Sequence, residues 1–120
     1  MLMKFTKMHG LGNDFVVIDA VTQNVRVTGS MVRRLANRTL GIGCDQVLVI
    51  ENTDVNENFK VKMYNSNGSE TGACGNGTRC VADLLSKENN KKEITVWTSS
   101  AILKSNILKN NLVETQIGTP

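Results

Sequence analysis

Aromatic side chains are scarce in this sequence, with one Trp, one Tyr and three Phe among 120 residues. None is interleaved with a basic patch, so the stacking platforms that hold single-stranded nucleic acid are missing. An excess of one charge is missing too. Fourteen Lys and Arg against eleven Asp and Glu leave a net charge of +3. The basic residues cluster no further than the pairs Arg33-Arg34 and Lys91-Lys92, which argues against nucleic acid as a partner. No apolar run approaches the ~20 residues that cross a bilayer. The amino terminus has no apolar signal-peptide core either, so the expected location is the cytoplasm, away from membranes. Histidine occurs once, at His9. It reads as structural, and its solitude leaves Ser-His-Asp or Cys-His catalysis elsewhere without a base. The three cysteines form no CxxC pair. That spacing excludes the usual zinc sites, and a reducing compartment implies free thiols.

What is present fits one compact domain. Met3 to Met8 alternates apolar and polar residues, and Asp14 to Asp19 is rich in β-branched residues. These segments predict two strands joined by a glycine turn. From Ser30, the residues Met31, Val32, Leu35 and Ala36 share a helical face, and Gly41 is placed to stop that helix. The run from Cys44 to Ile50 reads as apolar strand, with Gln46 in line with Cys44, Leu48 and Ile50. A strand follows from Phe59 to Asn65, and Asn67-Gly68 marks a turn. After Cys74 the spacing of Cys80, Val81, Leu84 and Leu85 predicts a helix of about ten residues, ending before the polar Lys87 to Asn90. Short alternating runs follow at Ile94 to Thr98, Ala101 to Leu108 and Leu112 to Ile117, with Asn110-Asn111 as a hairpin signal. The class is α+β with a mostly antiparallel sheet.

The stretch Ser69 to Cys80, "SETGACGNGTRC", carries the chemistry. Cys74 is either a small packing residue or a functional thiol. Gly72, Gly75 and Gly77 around it clear space for a ligand to approach the backbone. Gly75, Asn76 and Gly77 would present successive N–H groups at a helix start, a cradle for a carboxylate. A thiol beside such a start favours the thiolate. The pattern is not a phosphate loop, because no Lys-Ser/Thr follows the last glycine. Asn65 shares its strand face with Phe59, Val61 and Met63, so it either caps the following turn or meets a polar ligand. Gln46 stands under the same alternatives, and Asn13, beside Gly12, is suited to a positive φ. Together the three amides could converge on a zwitterionic amino acid.

Three blocks in order, "KFTKMHGLGNDFVVID" from Lys4, "GIGCDQVLVIE" from Gly41 and "MYNSNGSETGACGNGTRCVA" from Met63, resemble the amino-terminal half of the diaminopimelate epimerase family. The resemblance implies a diaminopimelate-epimerase-like fold, in which a curved sheet wraps a central helix. Residues 1–120 would be the amino-terminal domain of a two-domain pseudosymmetric enzyme. The implied reaction is epimerisation between LL- and meso-diaminopimelate, for lysine and peptidoglycan, with no cofactor and in particular no pyridoxal phosphate. Two cysteines would face opposite sides of the α-carbon as base and acid.

By motif, Cys74 would be one of that pair. Asn13, Gln46 and Asn65 match the substrate-contacting amides, and Gly75 and Asn76 match the backbone that holds the reacting carboxylate. Cys44 and Cys80 do not match the second cysteine and read as packing residues. Family members are longer chains that carry this cysteine in their second half, so the implied partners are the amino-acid substrate and a carboxy-terminal domain. A symmetric homodimer bringing two copies of Cys74 together is a further arrangement. The chain alone is expected to be inactive. The alternatives are a module that binds a small carboxylate or a partner domain, and a racemase of another amino acid. "HGLGNDF" favours diaminopimelate over proline.

Overall fold

The computed structural model describes residues 3–9, 12–21, 23–51, 58–72, 75–89, 92–98, 102–107 and 113–118. Strands β1 (Thr6–His9) and β2 (Asp14–Asp19) form the expected antiparallel pair, with Thr6 opposite Val17. Helix α1 (Gly29–Ala36) follows. Then come β3 (Gln46–Glu51), β4 (Asn58–Asn65), the two-residue β5 (Glu70–Thr71) and helix α2 (Gly75–Asn89). Strands β6 (Glu93–Trp97), β7 (Ile102–Ile107) and β8 (Val113–Gly118) end the described chain. One sheet joins them in the order β1-β2-β3-β4-β6-β7-β8, with β5 on β4. Its pairings are antiparallel except β2–β3 and β4–β6.

Those two parallel pairs determine where the helices go. A parallel neighbour is reached only by a crossover, and here the crossovers carry α1 and α2. Because β3 and β4 are antiparallel, β4 and β6 run opposite to β2 and β3. Two crossovers of the same hand, stepping the same way along the sheet on oppositely directed strands, place their helices on opposite faces. The packing agrees. Val32 and Ala36 of α1 are buried with Val16, Ile18, Val47, Val49 and Tyr64. Val81, Ala82 and Leu85 of α2 are buried with Phe15, Val17, Leu48, Ile50, Val61, Met63, Ile94 and Val96. This is why β2 and β3 read as continuous apolar runs, since both of their faces are covered. Contacts from β3, β6, β7 and β8 all converge on α2, so the sheet curls around it as a half-barrel and α2 is the central helix.

Three local expectations are corrected. Gly41 does not stop α1, which already ends at Ala36. Asn37 has left helical geometry (φ −65, ψ 122), and its Oδ1 accepts from the N–H groups of Thr39 and Leu40. The chain then folds back so that the N–H groups of Ile42 and Gly43 donate to Leu35 O and that of Cys44 to Ala36 O. Gly41 serves this return, because a Cβ there would overlap the Arg34 carbonyl. Helix α2 runs through Lys87 to Asn89 instead of stopping before them. Polar residues continue a helix where they face solvent, and Lys87 pairs with Asp83 one turn back at 3.1 Å. Cys44 precedes β3 and belongs to the α1 side, not to the face of Gln46, Leu48 and Ile50. The Asn110-Asn111 turn lies outside the described residues.

Candidate functional site

The side of the sheet that faces α2 is apolar in its middle and polar at one end. Gln46 precedes Leu48 by two residues and Asn65 follows Met63 by two, so both amides extend that apolar face beyond the core. The antiparallel register sets Gln46 directly opposite Asn65, and Gln46 Nε2 donates to Asn65 Oδ1 at 3.3 Å. Asn65 also closes the next turn. Its Nδ2 donates to Ser69 Oγ at 3.3 Å, its N–H to Ser69 O at 2.8 Å, and its carbonyl accepts from Gly68 N–H at 2.9 Å. Turn capping and presentation of an amide to the α2 face are therefore roles of one side chain. Asn13 stands two residues before Phe15, which is in register with Gln46 across β2–β3. The positive φ of this turn belongs to Gly12 (φ 79).

Helix α2 brings its first turn to this same end. A Cβ on Gly77 would lie 3.1 Å from Leu48 Cδ1 and 3.3 Å from Phe15 Cε1. Glycine thus lets the helix rest on the two residues adjoining the amides. Gly75 and Asn76 are in that turn, where backbone N–H groups lack partners inside the helix and the dipole is positive. Cys74 immediately precedes Gly75 in the sequence and lies outside the described residues, as does the side chain of Cys80. Cys44 is a packing residue, 2% exposed, and burial pushes its thiol up from the ordinary value. His9 is exposed on the edge strand β1, opposite Asp14.

One cluster next to this end is assigned no role by the sequence motifs. Asp14 adjoins Asn13, Asp45 adjoins Gln46, and Arg38 joins the two carboxylates. Arg38 Nη1 and Nη2 donate to Asp14 Oδ2 and Oδ1, each at 3.0 Å, and Nη2 also donates to Asp45 Oδ1 at 3.1 Å. The hydrogen bonds from Arg38 hold the Asp14 carboxyl well below the usual carboxylate range, and Asp14 in turn raises the Arg38 pKa. Lys7 Nζ lies 3.5 Å from Asp14 and donates to Gly43 O at 2.6 Å. The sequence offered only a carboxylate heading each of two apolar runs; that the runs are neighbours, and that one cation can serve both carboxylates, comes from the β2–β3 pairing. A groove of about 410 Å³ lined by Ser30, Arg33, Arg34, Asn37 and Leu40 lies on α1, the helix that packs on the other face of the sheet from these amides. Among the described residues, no three His, Cys, Asp or Glu side chains are grouped so as to hold a metal ion.

A curled mixed sheet around a central helix places the chain in the class of proteins with a diaminopimelate-epimerase-like fold. The chain superposes on methylitaconate-delta-isomerase with a TM-score of 0.69 at 9% identity, covering 91% of this chain and 35% of that one. A phenazine biosynthesis protein of the PhzF family from Enterococcus faecalis gives 0.60 at 11% identity, covering 81% and 35%. Within that class, the sequence pattern of the diaminopimelate epimerase family matches residues 5–120, and the chain belongs to this family. It is 55% identical over 119 residues to the diaminopimelate epimerase of Pelagibacter ubique (strain HTCC1062), covering 98% of this chain and 42% of that protein. It is 45% identical over 123 residues to that of Teredinibacter turnerae (strain ATCC 39867 / T7901), covering 100% and 45%. The chain spans less than half the length of these curated relatives.

Proposed function

We propose that this chain is the amino-terminal domain of a two-domain, pseudosymmetric epimerase that interconverts LL- and meso-diaminopimelate in the cytoplasm, without pyridoxal phosphate. The observation that carries the reading is the paired amides Gln46 and Asn65 on the α2 face, at the end of the sheet where α2 begins. Cys74, which immediately precedes Gly75 in the sequence, removes or returns the α-proton on one side of the substrate carbon. A second cysteine, from a carboxy-terminal domain, serves the other side.

The chemistry follows from where charge develops. Loss of the α-proton moves negative charge onto the adjoining carboxylate, and the backbone N–H groups of Gly75 and Asn76 in the first turn of α2 would receive it, which would stabilise the transition state without reorganisation. Asn13, Gln46 and Asn65 offer both donors and acceptors and so suit a zwitterion that carries ammonium and carboxylate together. The site residues would bind, orient and exchange one proton; inversion needs the opposite thiol.

The test uses the protein that carries this chain together with its carboxy-terminal domain. Diaminopimelate should take up solvent deuterium at the α-carbon and lose optical asymmetry. Cys74→Ala should lower turnover by roughly 10²–10⁴-fold, the usual range for a positioned acid or base. Asn65→Ala should lower kcat/KM about 10–100-fold, corresponding to ~1.5–3 kcal/mol for a hydrogen bond to a charged group. Full turnover by the Cys74→Ala variant would overturn the assignment.

A further inference from the structure

We propose that Arg38 is a positioning residue for the substrate-binding amides, acting through Asp14 and Asp45 to hold Asn13 and Gln46 at a set separation. This inference rests on the function proposed above. Asp14 and Asp45 are bound to each other in both directions. Asp14 N–H donates to Asp45 Oδ2 at 2.9 Å, while Asp45 N–H donates to Asp14 Oδ1 at 2.9 Å and to Asp14 O at 3.1 Å. Each of these residues is covalently next to a site amide, so the reciprocal bonds set the distance between Asn13 and Gln46 at the mouths of two parallel strands.

The arrangement places two carboxylates side by side, and alone they would repel. The Arg38 fork spans both, with two bonds to Asp14 and one to Asp45. Lysine has the charge but not the fork. Arg38 is itself held in place, because Gly43, at φ 80, lies against it so closely that a Cβ would be 3.1 Å from both Arg38 Cα and Cγ. The arginine and Asp45 side chains are 57% and 45% exposed. Ion pairs this exposed contribute little to global stability, so what the cluster chiefly governs is local geometry.

The test measures Arg38→Ala and Arg38→Lys in the protein that contains both domains, assayed well below every variant's melting temperature. Arg38→Ala should lose about 10–100-fold in kcat/KM, the scale on which small misplacements act, chiefly through KM, with its melting temperature nearly unchanged. Arg38→Lys should recover only part of the loss. Guanidinium ion, far below denaturing concentrations, should raise the activity of Arg38→Ala and not that of Asn65→Ala. Unchanged kcat/KM in Arg38→Ala, or a loss that only follows a fall in folded fraction, would overturn the proposal. If the unsubstituted protein does not turn over diaminopimelate, the functional reading fails separately. The positioning role is then decided by NMR on this chain: Arg38→Ala should move the side-chain amide resonances of Asn13 and Gln46, and unmoved resonances would refute it.

Discussion

Cys44 and Asp14 lie a short distance apart in this fold, and their surroundings push their acid–base properties in opposite directions. Burial raises the Cys44 thiol above its ordinary value of 9.0; in the folded protein it stays protonated and shielded. Native alkylation at neutral pH should leave Cys44 unmodified until denaturant is added, while Cys74 reacts first and at lower pH, as peptide mapping will show. Asp14 is displaced the other way, its carboxyl held below its ordinary value of 3.8 by Arg38. A depressed folded-state pKa means that the unfolded chain binds the proton more readily. The stabilisation is therefore complete above about pH 4 and is lost as pH falls further. Urea midpoints measured from pH 6 down to pH 3 should decline, and Asp14→Asn should flatten the acid end of that curve. The effect is modest because the partner arginine is largely exposed.

At the scale of elements, the two helices depend on different kinds of contact. Helix α2 is held by its apolar stripe. Leu85 is 2% exposed within the main core, and Leu85→Ala should cost ~2–5 kcal/mol, the range for a buried leucine that leaves a cavity. Helix α1 depends more on how its ends are finished. Thr28 Oγ1 accepts from Met31 N–H at its start, and the returning loop satisfies the carbonyls at its end. Gly41→Ala should therefore destabilise by roughly 1–3 kcal/mol, as expected when added bulk meets rigid backbone, although Gly41 is solvent-exposed. Urea denaturation of both variants checks these values; a neutral Gly41→Ala would mean that the loop can move away from Arg34 at no cost.

For the whole molecule, the chain's share of its relatives, 42% and 45% of their lengths, matters as much as its fold. Inversion needs an acid on the side opposite the base, and the motif residues matched here include one thiol, Cys74. The purified chain should not epimerise diaminopimelate, and activity should appear when a separately expressed carboxy-terminal domain is added. Solvent deuterium uptake and optical rotation measure both. Turnover by the chain alone would instead point to two copies of Cys74 meeting in a homodimer.

The strands and the amides were legible in the sequence, for local reasons. Alternation in Phe59 to Asn65 and the apolar runs of β2 and β3 follow from side-chain period and from burial on one face or two. A polar Gln46 or Asn65 in line with such a face stands out against its neighbours. Gly77 likewise marks a backbone that is approached closely, by the Leu48 and Phe15 side chains. Tertiary structure decided what depends on residues distant in sequence. The parallel β2–β3 and β4–β6 pairings, and with them the opposite faces of α1 and α2, are set by crossover geometry that no short window contains. So is the end of α1, where Asn37 and the returning loop replaced the apparent stop at Gly41. In the sequence Arg38 lies 24 residues from Asp14 and 7 from Asp45, with no motif linking the three. Only strand pairing brings the Asp14 and Asp45 carboxylates together, and two adjacent negative charges are accommodated there because the Arg38 guanidinium binds both.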